Sequence, residues 1–343
     1  MPKAISEQVV VMIGASSGIG RAAALAFGTA GASVVCAARS VEALESLVTE
    51  ITAAGGTAVS VPTDVADPAA VKHLVATAVQ RYGRIDTWVN AAAIGVWGRI
   101  EEITDEEFER VMRVNFLGHV HGVHAALPVL RRGDGGVIIG IASVEGIRSV
   151  PLHAPYTASK WALRAFYDSL RMELAQEGAP IAVSTILPAS IDTPFFEHSR
   201  SKLGAMPKPP PPVYAPELVA EAILQAAEHP RREIPVGGAA VGVYFGQRFA
   251  PALTDALMSI PRLGAGSLKS DRPDNGRDNL EGPMAGTGRV HGAYPGRVLT
   301  SSTFSRVSSR LPRPGELASV AVSRVRQLRS RSETHEQGKS HTP

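Results

Sequence analysis

VVVMIGASSGIGRAAALAFGTAG, residues 9–31, joins an unbroken apolar run to a turn with three glycines and then to an alanine-rich helical stretch. Five apolar residues in a row, Val9 to Ile13, read as a strand buried on both faces. Gly14, Gly18 and Gly20 sit where that strand turns into the helix. Glycines there let the backbone approach a phosphate, and the first amides of a helix have no intrahelical acceptor, so they are open to an anion. The spacing is Gly-x3-Gly-x-Gly rather than the commoner dinucleotide fingerprint Gly-x-Gly-x2-Gly, so the motif alone leaves an ordinary tight turn as an equal reading. Gly14, Ser16, Ser17, Gly18, Ile19 and Gly20 are the candidate cradle.

Outward from this unit the same rhythm repeats. Short apolar runs at SVVCA (33–37), AVSVP (58–62), DTWVN (86–90), GVIIGIA (136–142), IAVSTIL (181–187) and EIPVG (233–237) alternate with longer amphipathic stretches. This pattern predicts an α/β domain over residues 1–240, a doubly wound parallel sheet of about seven strands. Two features interrupt it. Residues 189–215 hold four consecutive prolines, Pro209 to Pro212, which favour extended polyproline chain and suit a substrate loop that acts as a lid. After an apolar amphipathic extension at 241–261, residues 262–343 turn to Gly, Pro, Ser and Arg; they are expected to form a largely disordered basic tail, broken by a basic amphipathic helix over 317–328.

Composition excludes several classes. With 44% hydrophobic and 20% charged residues and a formal net charge of only +3, the 343-residue chain lacks the dense basic stripe of a nucleic-acid binder. Its single cysteine, Cys36, lies in an apolar run and rules out an intrachain disulfide. No leader pattern and no long apolar span stand out, so the chain is expected to be cytoplasmic; residues 239–260 and the tail are the segments open to weak contact with a membrane surface. His119, His121 and His124 spread around one helix without a carboxylate at ligand spacing, and no metal site is expected.

Chemistry concentrates in four places. Arg39 ends the second strand, where an arginine accommodates the 2′-phosphate of NADP, so NADP is expected over NAD; a solvated arginine is the plainer reading. Asp64, followed by Val65, either accepts from the adenine amino group or caps the helix that begins near Pro68. In PYTASKWALRAF (155–166), Tyr156 and Lys160 lie one helical turn apart and address one molecule. An ammonium there stabilises the phenolate and should lower the tyrosine pKa, as a general acid/base requires, while its N–H groups can hold the cofactor ribose. Ser143, just past the fifth strand, is placed to orient a substrate carbonyl. Asn115, a polar residue in an apolar helical stretch, could bridge through water to Lys160. Taken singly, Ser143 reads as a turn residue and Asn115 as a satisfied helix amide. His153, three before Tyr156, belongs either to the substrate pocket or to an exposed loop. Thr104 and Glu107 are spaced as a capping box at a solvated helix start.

GASSGIG, Asn115, Ser143 and Tyr156-x3-Lys160, in this order and at these separations, resemble the short-chain dehydrogenase/reductase family over residues 5–240. The resemblance implies a Rossmann-type fold, an oxidoreductase that exchanges hydride between NAD(P)H and a carbonyl or alcohol, and a homo-oligomer. It implies Tyr156 as acid/base, Lys160 as cofactor anchor, Ser143 as substrate orienter, Asn115 as relay, and Asn90 and Thr193 among the cofactor contacts. Ile13, Ala91, Ala93 and Ala189 depart from the family pattern without touching a catalytic position. Pocket walls expected at 94–97, 144–152 and 189–214 carry Trp97, Leu152, Phe195, Phe196 and Met206 and no arginine pair, which points to an apolar substrate. A cofactor-binding regulator or scaffold without turnover is the alternative.

Overall fold

Each of the seven apolar runs forms a strand of one sheet: β1 (Val9–Ile13), β2 (Ser33–Ala38), β3 (Thr57–Pro62), β4 (Thr87–Asn90), β5 (Gly136–Ile141), β6 (Ile181–Pro188) and β7 (Glu233–Val236). The structure is a computed structural model and describes residues 2–260, 265–286 and 288–302. All strands pair in parallel, in the order β7-β6-β5-β4-β1-β2-β3. Successive side chains point to opposite faces, and both faces are covered. Val10, Met12 and Cys36 pack with Phe27, Leu47 and Ile223 on one side. Val11, Ile13 and Trp88 pack with Leu74, Val123 and Leu163 on the other. Cys36 is a core residue, its thiol pushed up to about 12 by burial.

The main helices are α1 (Gly18–Thr29), α2 (Val41–Ala53), α3 (Pro68–Tyr82), α4 (Asp105–Met112), α5 (Gly118–Arg132), α6 (Ala154–Glu177), α7 (Pro216–Glu228), α8 (Gly238–Phe249) and α9 (Pro251–Ser259). Helices α1, α2 and α7 cover the first face and α3, α5 and α6 the second. Local chemistry sets their ends. Asp67 accepts from the Ala69 amide at 2.8 Å with Pro68 in the first turn, and Gly83, at φ +77°, closes α3. The capping box at α4 forms as read, Thr104 accepting from the Glu107 amide at 3.3 Å and its own amide donating to Glu107 at 2.9 Å. Glu107 is nevertheless buried, because Lys202 and Arg200 of the 189–215 loop reach it at 2.8 and 3.2 Å. Between α4 and α5 runs a π-helical turn, Arg113–Leu117, which carries Asn115. Among the described residues no helix is long and apolar enough to cross a membrane.

The expectation of disorder from residue 262 onward fails for the described part of that stretch. Val298–Leu299 pairs with Val213–Tyr214, Leu280 is fully buried, and backbone bonds tie Met206 to Arg272 and Asn279 to His198 at 2.9 and 2.8 Å. Few apolar side chains take part; main-chain hydrogen bonds to the domain supply what a core of its own would have, and composition does not register them. The basic helix expected at 317–328 lies outside the described residues.

Candidate active site

At the carboxyl ends of the strands, around β1 where the strand order reverses, opens a cleft of about 570 Å³, the place where open α/β sheets take ligands. The glycine turn forms its floor. A Cβ on Gly14 (φ +80°) would meet the Ala92 amide at 2.7 Å, and one on Gly20 would meet the Gly14 carbonyl at 2.2 Å. Only glycine lets α1 start directly above the turn. Ser16, Ser17, Gly18 and Ile19 line the cleft with them, as do Arg39, Asp64, Val65, Tyr156, Lys160 and Thr193. Asn90 does not: it is buried, its Oδ1 accepting from Ala92 and its Nδ2 donating to the Gly118 carbonyl, so it braces the chain behind the wall.

At one end of the cleft Arg39 donates through Nη2 to the Asn279 carbonyl at 2.6 Å, and Arg110 donates to Asp64 at 3.0 Å. Burial pushes the Asp64 carboxyl up, but the Ala66 amide and Arg110 outweigh it and hold it below the usual carboxylate range. Asp67 caps α3, which leaves Asp64 facing the cleft. Asn279, Pro283 and Met284 line the cleft as well. No motif marked them.

At the other end Ser143 follows β5, and α6 begins just before Tyr156. Lys160 Nζ lies 5.2 Å from the Tyr156 ring centroid and donates to the Ile141 carbonyl at 2.8 Å. The expected lowering of the phenol pKa is reversed. Burial raises Tyr156, the Glu145 charge adds to that, and only the Ser143 hydrogen bond opposes it. Burial likewise brings Lys160 down to about 7, against the opposing Glu145 charge. Asn115 sits behind this end, its Oδ1 accepting from the Ile94 amide and its Nδ2 donating to the Ile94 carbonyl, both at 2.9 Å, and to Ser159 at 3.3 Å. Those bonds fix the wall at Ile94.

His153 lies in neither expected position. It is fully buried and stacked between Trp97 and Tyr156, with centroid distances of 3.6 and 4.4 Å and interplanar angles of 11° and 6°. Its Nδ1 meets Glu145 at 3.1 Å, and Thr157 donates to the same carboxylate at 2.8 Å. Glu145, unmarked in the sequence, therefore couples the tyrosine's electrostatics to its packing. The remaining wall is mostly apolar: Trp97, Val150, Phe195, Phe196, Pro211 and Val243 line it beside Ser190, His198 and Ser267, whereas Leu152 and Met206 do not.

On α5, His119 and His121 make structural contacts. His119 is buried against the Tyr167 hydroxyl at 2.8 Å, where burial and then Lys160 hold its pKa well below 6.5, and His121 meets the Val65 carbonyl at 2.9 Å. Among the described residues no cluster of metal-ligating side chains occurs.

A family model described as short chain dehydrogenase matches residues 8–204. The uncharacterized oxidoreductase YxnA of Bacillus subtilis (strain 168) is 38% identical over 311 residues, covering 90% of this chain and 87% of its own. A versicolorin reductase of Emericella nidulans is 37% identical over 190 residues, covering 55% of this chain and 71% of its own. Among solved structures, a short chain dehydrogenase/reductase from Burkholderia phymatum in complex with NAD aligns with a TM-score of 0.67 at 26% identity, covering 74% of this chain and 96% of that one. An alcohol dehydrogenase from Thermococcus sibiricus complexed with 5-hydroxy-NADP aligns with a TM-score of 0.59 at 28% identity, covering 67% and 95%.

Proposed function

The chain belongs to the short chain dehydrogenase family of oxidoreductases, and from that premise we propose that it interconverts a carbonyl and an alcohol, with NADP(H) preferred over NAD(H) and Tyr156 as the proton donor and acceptor. The observation that carries the reading is the meeting of Ser143, Tyr156 and Lys160 in the cleft that the glycine turn floors. The residues fit a nicotinamide dinucleotide. Ser17, at the N-cap of α1, makes no side-chain cap; the Gly18 amide donates to the Arg289 carbonyl at 3.0 Å, a contact that a pyrophosphate at the helix start would displace. Arg39 Nη1 is buried without a hydrogen-bond partner among the described residues, a donor suited to a 2′-phosphate oxygen.

A nicotinamide held there would supply the hydride chemistry at the substrate carbon. Ser143 and the Tyr156 hydroxyl hold the substrate oxygen, and the Tyr156 proton passes to it as negative charge develops there. Lys160 binds the ribose hydroxyls and steadies the phenolate left behind. Asn115 holds the wall at Ile94, and a water between it and Lys160 would complete the proton relay. The aromatic wall around Trp97 and Phe195 excludes water and favours an apolar ketone or aldehyde. Phe249, Leu253 and Leu257 are 76%, 61% and 44% exposed and form the surface for a second copy of the chain or, more weakly, a membrane; light scattering and liposome sedimentation separate the two.

The test is a panel of apolar aldehydes and ketones, with loss of the reduced-nicotinamide absorbance followed for NADPH and NADH in turn. Faster turnover with NADPH is expected. Cofactor binding without turnover on any member of the panel would favour the scaffold reading.

A further inference from the structure

Two pieces of the carboxyl-side chain, 278–286 and 288–294, fasten to both walls of the cleft. On one wall Arg39 donates to the Asn279 carbonyl at 2.6 Å and Arg110 to the Leu280 carbonyl at 3.0 Å. On the other, the Asn279 amide donates to the His198 carbonyl at 2.8 Å and Arg200 pairs with Asp278 at 2.8 Å. Further along, Arg289 pairs with Glu197 at 2.8 Å, and the Ala293 amide donates to the same carboxylate at 2.8 Å. Between the walls the Arg289 carbonyl accepts from the Gly18 amide at 3.0 Å, at the head of α1. Asn279 thus joins the Arg39 end to the substrate loop through its own backbone.

Two polar atoms here are left over. Arg39 Nη1 and Asn279 Oδ1 are both buried without a partner among the described residues, and both residues line the cleft. Buried donors and acceptors are rarely left unpaired, so each such atom needs an explanation. A ligand that offers an oxygen to Arg39 and an N–H or O–H to Asn279 satisfies both. The adenosine end of a nicotinamide dinucleotide carries both groups.

We propose that 278–286 and 288–294 form a third wall of the cofactor site, with Asn279 contacting the adenosine end, and that this wall must loosen for the nucleotide to enter or leave. The inference rests on the nucleotide site proposed above. Both segments of the wall lie beyond residues 8–204, the part matched by the family model.

Stopped-flow fluorescence of NADPH and NADH on the full chain tests it, with two variants. Asn279→Ala should weaken nucleotide affinity about fivefold, the loss of one hydrogen bond. Asp278→Ala with Arg289→Ala removes a side-chain pin at each end and should speed release by roughly tenfold, with association also faster, because an ordered segment no longer has to open. Parent-like affinity in Asn279→Ala overturns the contact, and parent-like rates in the double variant overturn the gate. A parent that binds neither nucleotide overturns the cofactor reading itself and the wall with it, and the parent trace alone reveals that outcome.

Discussion

The two ends of the cleft are built in opposite ways. Ser143 follows β5, and Tyr156 and Lys160 stand on α6, locked from behind by fully buried Leu163 and Tyr167. Asn279 stands on chain without regular structure, held by main-chain carbonyls and a few ion pairs. Under the proposed function, the difference follows from what each end has to do. Proton transfer needs groups held within a fraction of an ångström, which packed elements provide. A wall that admits and releases a nucleotide has to open, and segments with few buried side chains open at low cost.

The comparison breaks first, if it breaks, on Tyr156→Phe. Turnover should fall by about a thousandfold, within the range for a general acid/base, while nucleotide affinity stays within about twofold of the parent. A matching loss of nucleotide affinity would mean that the two ends are not separable.

Lys160→Met sharpens it through pH. The Lys160 pKa is about 7 in the folded chain against its ordinary 10.5. Below pH 7 both folded and unfolded chains carry the proton, so the parent bears the full cost of a buried charge. From 7 toward 10.5 the folded chain is neutral while the unfolded one still holds the proton, so that cost fades as pH rises. Urea denaturation should find the variant's stability, relative to the parent, higher by a few kcal/mol near pH 6 than near pH 10. A relative stability independent of pH would contradict the buried-charge account.

Thr104→Ala is the smallest perturbation. Losing the α4 cap should cost about 1 kcal/mol of stability. Because Arg110 of α4 holds the Leu280 carbonyl, nucleotide release should quicken slightly while the rate of the chemical step is unchanged. Thermal melts and single-turnover rates check both.

Much of this was legible in the sequence, for a physical reason. A strand covered on both faces has to be apolar, so the central runs mark themselves, the partly exposed edge strands β3 and β7 follow from the repeating rhythm, and Tyr156 and Lys160 are neighbours because one helical turn makes them so. Ser143 and the glycines sit at strand ends, where the fold leaves few alternatives. What stayed hidden depends on contacts far apart in sequence. Asp64 read equally as an adenine contact or as the cap of the helix near Pro68 until the geometry gave the cap to Asp67. The direction of the Tyr156 shift depends on burial and on Glu145, which spacing does not encode. The wall around Asn279 is held largely through backbone atoms, which every residue type carries.

The central claim is direct hydride transfer to a carbonyl assisted by Tyr156. The most direct test supplies NADPH deuterated at the transferable C4 position and examines the alcohol by mass spectrometry. The account predicts one deuterium on the carbinol carbon with the parent chain and negligible labelled product with Tyr156→Phe. Alcohol formed without the label, or labelled equally well by the variant, would contradict it.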